Sequence, residues 1–349
     1  MRDKRTLLSI FPGDGHGSES SLAYHGETYY ELPALKPSHY RWPIVGYFFV
    51  GGLASAAQFI ATVLDLLGSE EDRSVVRAGR YIALLGALIS PILLIVDLET
   101  PKRWYNMLRI YRQTSPMSIG SWALTTFGTF SGFVAVGQAA ADLFRLHTGR
   151  LLARLFSLPA ALAGGVVSLY TGTLLAATST PFWAGAFPFL SSLFASSAAS
   201  TATAALALSA EVTCAPRSTR QRLTVLSVIT GAAELLFAFL VGRRWRRRQV
   251  TTPVHRGPLQ ATWRFGVLGL GIGVPLVVHL VDLVRGRGSH KSVALASVAT
   301  LAGGFLLRAV LIFGGNQSVQ RPGDYFGFAR PATRTGSGVV RTERAARRS

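Results

Sequence analysis

The stretch YIALLGALISPILLIVDL occupies residues 81–98. It carries a single charge, Asp97, near its end. A run of about 18 such residues reads as a helix that crosses a lipid bilayer. Similar runs recur along the chain, over 43–67, 81–98, 117–141, 158–178, 182–210, 222–242, 263–284 and 292–314. The fifth is long enough to tilt or kink. In lipid the backbone must satisfy its own N–H and C=O groups, so all eight are expected to be helices. The alternating strands of about ten residues that a membrane β-barrel needs are not seen. The expected fold is therefore an all-α integral membrane protein with eight transmembrane helices.

Composition agrees. Of 349 residues, 49% are hydrophobic and 15% charged, against about 25% charged in a soluble domain. The net charge of +19 does not point to nucleic acid, because the cations sit in loops and tails beside the apolar runs. That is the placement of orientation signals and of contacts with anionic headgroups. The first 42 residues are polar, and the first apolar run is too long for the core of a cleaved signal peptide.

Cys214 is the sole cysteine. It gives no disulfide, no CxxC pair and no ligand set for an iron–sulfur cluster. Among the seven histidines (His16, His25, His39, His147, His255, His279 and His290) only His279 falls in an apolar run, which argues against haem held by two helix-borne histidines. No HExxH, nucleophile elbow or phosphate loop is found. The glycines of GLGIGVP (269–275) lie inside an apolar run, with no strand before them, and suit helix packing.

Ionisable groups within a bilayer are functional candidates. Asp65, Asp97, Glu234, His279 and Arg308 qualify. Plainer roles stand beside each. Asp65 and Asp97 fit an interfacial position, Glu234 and Arg308 fit a structural ion pair, and His279 fits a packing residue.

The loop after residue 95, VDLETPKRWYNMLRIYRQTSPMSIGSW (96–122), resembles the loop between the second and third helices of the NrfD/polysulfide reductase membrane-subunit family. Asp97, Leu98, Pro101, Arg103, Asn106, Met107, Leu108, Arg109, Thr114, Ser115, Pro116, Met117, Gly120, Ser121 and Trp122 carry the likeness. Glu99 and Trp104 depart from it, standing where the family has Gly and Phe. Further similar segments follow in the same order: YFFVGGLASAAQF (47–59), YTGTLLAATSTPFW (170–183) and FLLRAVLIFGGNQS (305–318). The lead-in TYYELPALKPSHYRWPI (28–44) is also similar.

The resemblance implies two four-helix bundles, 43–178 and 182–314, between a polar N-terminal segment, 1–42, and a basic, flexible tail, 315–349. It implies a membrane subunit of a bacterial respiratory complex in the cytoplasmic (inner) membrane. Such a subunit exchanges electrons between a quinone (menaquinone or ubiquinone) and a ferredoxin-like iron–sulfur subunit, which connects to a molybdopterin catalytic subunit. It holds no haem or iron–sulfur cluster itself. Within that frame Asp97, Tyr170, Tyr47 and His39 are the expected quinone contacts, since a quinone needs hydrogen-bond donors and a proton relay. Arg103, Arg109, Arg112 and Trp104 are the expected docking residues for an acidic partner face. Ser115 or Ser118 is expected to cap the following helix. Asp65, Glu234 and Arg308 are candidate steps of a proton path.

Two other functions fit eight helices with buried charges: a proton-coupled secondary transporter and a passive membrane anchor. Against the first, no pair of Gly/Pro-broken helices stands at matching positions of the two halves.

Orientation follows from charge. Of the Lys and Arg other than Arg308, 23 lie on the side of the termini and 12 on the other. Both termini are therefore expected in the cytoplasm. A C-terminal fusion should show activity of a cytoplasm-dependent reporter; activity of a periplasm-dependent reporter alone would reverse the assignment.

Overall fold

The computed structural model describes residues 35–255, 259–286 and 289–320. Most of the expected polar N-terminal segment and most of the expected tail lie outside the described residues. Within them the chain is helical, with no strand. In order the helices are α1 (Trp42–Leu67), α2 (Arg73–Val96), α3 (Asn106–Arg109), α4 (Pro116–Leu143), α5 (His147–Ala176), α6 (Pro181–Ala184), α7 (Phe189–Val212), α8 (Arg217–Arg248), α9 (Thr252–His255), α10 (Leu259–Ala261), α11 (Val274–Arg285) and α12 (His290–Val319). A π-helical stretch, Thr262–Gly273, joins α10 to α11. Eight rods are long and apolar enough to cross a membrane: α1, α2, α4, α5, α7, α8, the α10–α11 rod and α12. The chain is thus a multi-pass membrane protein.

Several rods outrun their apolar cores. α2 starts at Arg73, eight residues before the run at 81. Ser69 and Asp72 form a capping box there, and Arg80 finds partners inside the protein. α5 gains its first turns from His147, and α8 is charged at both ends. Hydropathy sees none of these turns, because it scores the charges and not their partners.

The fifth run is the one that breaks. Pro181 starts a separate short helix just before it and Gly185 and Pro188 interrupt it, so the span proper starts at Phe189 rather than 182. The detached α6 folds inward. Phe182 and Trp183 are buried, and the Trp183 indole donates to the Leu311 carbonyl at 2.6 Å. Gly315 makes room for that ring: a Cβ there would lie 2.1 Å from Trp183 Cε2. Trp245 on α8 donates to the Phe182 carbonyl at 2.8 Å and stacks on its ring.

α1 lies at the centre, packed against α2, α5, α7 and α12. Its small residues allow this. Gly86 on α2 meets Ala54 so closely that a Cβ would stand 2.2 Å from the Ala54 Cβ. α4 covers α5 and α2, while α8, α11 and the π stretch close around α7 and α12. Outward faces are apolar: Leu85, Leu88, Ile92 and Val96 of α2 are all exposed, as a lipid-facing surface requires.

The π stretch and α12 touch through backbone. A Cβ on Gly271 would lie 2.5 Å from the Gly303 Cα. Gly271→Ala should therefore destabilise the protein by about 1–3 kcal/mol by overpacking. Gly132→Ala, with nothing within 4 Å, should leave stability unchanged or raise it. Thermal unfolding in detergent measures both.

Candidate functional site

The terminal face of the first four spans gathers the polar groups. Tyr47, two turns into α1, and Tyr170, late in α5, hydrogen-bond through their hydroxyls. Both are buried. Gly120 on α4 lets the Tyr170 ring lie flat against that helix; a Cβ there would stand 2.0 Å from Tyr170 Cε2. The Ser90 hydroxyl on α2 is buried without a partner among the described residues, close to Tyr47 across Gly51.

Asp97 caps the end of α2. Its carboxylate accepts from the Arg41 backbone N–H, while its Oδ1 is buried with no hydrogen-bond partner among the described residues. Burial pushes the Asp97 pKa up to about 6, against the opposing pull of Arg41 and His39. Tyr40 is near enough to this carboxylate to feel its charge, and its ring centre lies 5.9 Å from that of Trp183. Burial, then the Asp97 charge, raises the Tyr40 pKa. Asn316 of α12 holds this segment: its Oδ1 accepts from Ser38 N–H at 3.2 Å and from Ser38 Oγ at 2.6 Å.

Of the expected quinone contacts, Tyr47 and Tyr170 touch, while among the described residues Asp97 makes no hydrogen bond to either. His39 turns outward, to Glu99 at 3.3 Å, and both are exposed. Tyr40 is not among the residues the sequence singles out. Its only signal is its place two residues before α1, in a segment whose path depends on α12.

Beside this layer is an apolar slot of about 380 Å³ between α2, α3 and α4. Pro91, Leu94, Trp104, Leu108, Ser121 and Leu124 are among its walls. Leu124 belongs to the same buried core as Tyr47 and Tyr170, and Ser121 follows Gly120. Trp104 thus lines the slot as well as facing outward. Arg103, Arg109 and Arg112 are exposed around it. Ser115 is the cap of α4, accepting from the Ser118 N–H at 3.4 Å. Ser118 Oγ instead braces the loop, accepting from the Arg112 N–H at 3.0 Å and donating to the Ile110 carbonyl at 3.2 Å.

The candidate proton-path residues fall into two clusters. Asp65, at the opposite face, pairs with Arg80 at 3.1 Å and Arg154 at 3.2 Å. Arg80 also donates to Gln138 at 2.7 Å and Ser157 at 3.2 Å. Glu234 and Arg308 are buried within the second half with Ser197 between them. Arg308 donates to Ser197 and to the Gly304 carbonyl, and lies 5.7 Å from the Phe194 ring centre. His279 borders a polar cavity of about 10 Å³ with Ser200, Ser227 and Thr300. That is about the room of one water. Among the described residues no group of three or more His, Cys, Asp or Glu gathers as a metal site.

Eight membrane rods, with a buried tyrosine pair beneath a cationic loop, define a helical membrane subunit with a polar layer next to one surface. The sequence profile described as "Polysulphide reductase, NrfD" matches residues 33–320, and the chain belongs to this family. The C subunit of polysulfide reductase from Wolinella succinogenes is 26% identical over 304 residues, covering 80% of this protein and 95% of that one. Protein NrfD of Escherichia coli is 24% identical over 312 residues, covering 80% and 95%. The family's general role is that of a membrane subunit in quinone-linked respiratory complexes.

The Asp97 carboxyl should titrate near pH 6. Its infrared carbonyl band should grow as pH falls through that value and be missing from Asp97→Asn. A band that is complete only below about pH 4, the ordinary range of a solvated carboxylate, would mean that the group is in water.

Proposed function

We propose that this chain passes electrons between a membrane quinone and an iron–sulfur partner subunit docked on the loop 97–115, within a complex that carries a molybdopterin catalytic subunit. The observation that carries the reading is the apolar slot beside the Tyr47–Tyr170 pair, directly beneath that loop. Its volume of about 380 Å³ falls in the range of about 300–1,000 Å³ usual for ligand pockets. Two polar atoms at this layer, Ser90 Oγ and Asp97 Oδ1, are buried without partners among the described residues. Buried polar atoms of this kind are costly unless something pairs with them. The residues present therefore fit a quinone headgroup.

When bound, a quinone supplies two-electron redox chemistry coupled to two protons. The protein's own residues do the rest. Apolar walls from α2 and α4 admit the ring and tail from the lipid and exclude water. Tyr170 and Tyr47 offer hydroxyl donors to a carbonyl oxygen. Asp97 takes or gives a proton with a pKa of about 6, close enough to neutrality for both forms to be populated. Tyr40 stands near Asp97, and from Asp97 the path reaches Arg41, His39 and the surface. Arg103, Arg109 and Arg112 meet an acidic partner face. Proton translocation belongs to the same reading, with Asp65 in one half and the Glu234–Arg308 pair in the other as its titratable groups.

Asp97→Asn and Tyr170→Phe test this in the assembled complex. Each should retain the iron–sulfur partner and lose most quinone-coupled turnover, by about 10²-fold or more where a proton-transferring group is removed. In the unmodified complex the turnover should change with pH around 6, and Asp97→Asn should flatten that dependence. Unaltered turnover in both variants would remove the site from this layer. Loss of the partner subunit would recast Asp97 as a residue that shapes the loop.

A further inference from the structure

A large cavity is at the other face. It encloses about 1,070 Å³ where α1 ends, α2 begins, α4 ends and α5 begins. Six arginines line it: Arg73, Arg77, Arg80, Arg145, Arg150 and Arg154. Three carboxylates stand among them, Asp65, Glu70 and Asp142, so the lining carries a net charge of +3 with His147 neutral. The acids are already committed. Asp65 pairs with Arg80 and Arg154, Glu70 with Arg73, and Asp142 with Arg77.

Two cations are left over. Among the described residues, neither Arg145 nor Arg150 has a side-chain hydrogen bond or ion pair. At the floor Arg80 is only 4% exposed, yet its Nε has no partner there. Ser74 lines the same cavity, and its hydroxyl is also buried and unpaired. Spare arginine forks at the mouth of a net-positive lining together ask for an anion with several acceptor oxygens. Arginine pairs best with planar or tetrahedral oxyanions, above all phosphate.

The walls say how that phosphate arrives. Leu64, Val76 and Leu151 line the cavity beside the arginines. Leu67, Leu143 and Phe144 are exposed at the same level, at 83%, 76% and 72%. A soluble phosphate would answer the charge and leave this apolar rim uncovered. A phospholipid answers both, with its headgroup between helix ends and its acyl tails along the outer faces. Basic pockets between membrane helices are known to take such headgroups.

We propose that this cavity binds the phosphate headgroup of an anionic phospholipid, held by Arg145 and Arg150 within the positive field of the other lining arginines. The site is on the opposite face and shares no residue with the tyrosine layer; of the groups in the proposed function only Asp65, already paired with Arg80 and Arg154, lines it.

The test uses the full-length protein stripped of lipid in neutral detergent. Native mass spectrometry and thermal unfolding follow added phosphatidylglycerol, cardiolipin, phosphatidylcholine and inorganic phosphate. The two anionic lipids should remain bound and raise the unfolding temperature, and the other two should do neither. The double variant Arg145→Gln/Arg150→Gln should bind anionic lipid about tenfold more weakly or worse, as expected when charge-assisted phosphate contacts are lost. Its lipid-free unfolding temperature should be unchanged, since neither arginine has a partner to lose. Arg285→Gln, which changes an exposed arginine on the same face outside the cavity, should bind as the unmodified protein does; a loss equal to that of the double variant would overturn the site. An equal response to phosphatidylcholine, an equal response to phosphate alone, or full binding by the double variant would each overturn it too. If the double variant fails to fold, Arg150→Gln alone decides by the same readout.

Discussion

Inside a bilayer a polar group has no water to turn to, and this constraint organises the whole molecule. It makes every span a helix. It also dictates what happens wherever a helix is interrupted or carries a charge. Trp183 reaches the Leu311 carbonyl because α6 is tucked among helices and its indole N–H must be spent there. Arg308, fully buried, donates from one guanidinium nitrogen to Ser197 and to a carbonyl of its own helix and lies over two aromatic faces, while its Nε and other terminal nitrogen have no hydrogen-bond partner among the described residues. Arg80 donates to Asp65, Gln138 and Ser157. Among the described residues the atoms that escape this rule are few, and some of them cluster. Ser90 and Asp97 have them at one face, Arg80 and Ser74 at the other. Gln58, Ser131, His279, Ser297, Arg308 and Gln317 carry the others, away from both faces' clusters.

The central position of α1 follows from side-chain size. Gly51, Gly52, Ala54, Ser55, Ala56 and Ala57 give it a thin profile, and four other spans close on it. That closeness carries Tyr47 to Tyr170 across 123 residues of sequence. A bulkier α1 would hold the two hydroxyls apart. The shape of the site is therefore decided less by the tyrosines than by the small residues above and around them, including Gly120 on the facing helix.

The number of spans and their class were plain in the apolar runs, because hydropathy and length are what lipid selects. The fifth boundary was not, because Pro181 and Pro188 flank residues as apolar as the span itself, and a hydropathy window cannot see a break. The first turns of α2 were hidden for the opposite reason. Arg73, Arg77 and Arg80 read as loop; Arg77 and Arg80 find partners on α1, α4 and α5, and Arg73 pairs with Glu70 in the turn before it. At the site, Tyr47, Tyr170 and Asp97 could be chosen by their types and levels. The outward turn of His39 and the placement of Tyr40 near Asp97 could not, since both depend on how residues 38–40 are pinned by a helix almost 280 positions away.

That pinning has a consequence for the order of assembly. The first four spans contain both tyrosines and the whole apolar slot, yet the segment that lays Tyr40 over them is held by Asn316, close to the end of the last span. The same helix receives Trp183 from α6. A nascent protein can thus insert seven of its spans and still have an unfinished tyrosine layer. The site closes when α12 leaves the ribosome and docks, so a protein truncated before Asn316 would keep the residues of the layer and lack its clasp. Completion of the last span acts as a check on length, built into the hydrogen bonds of the first half.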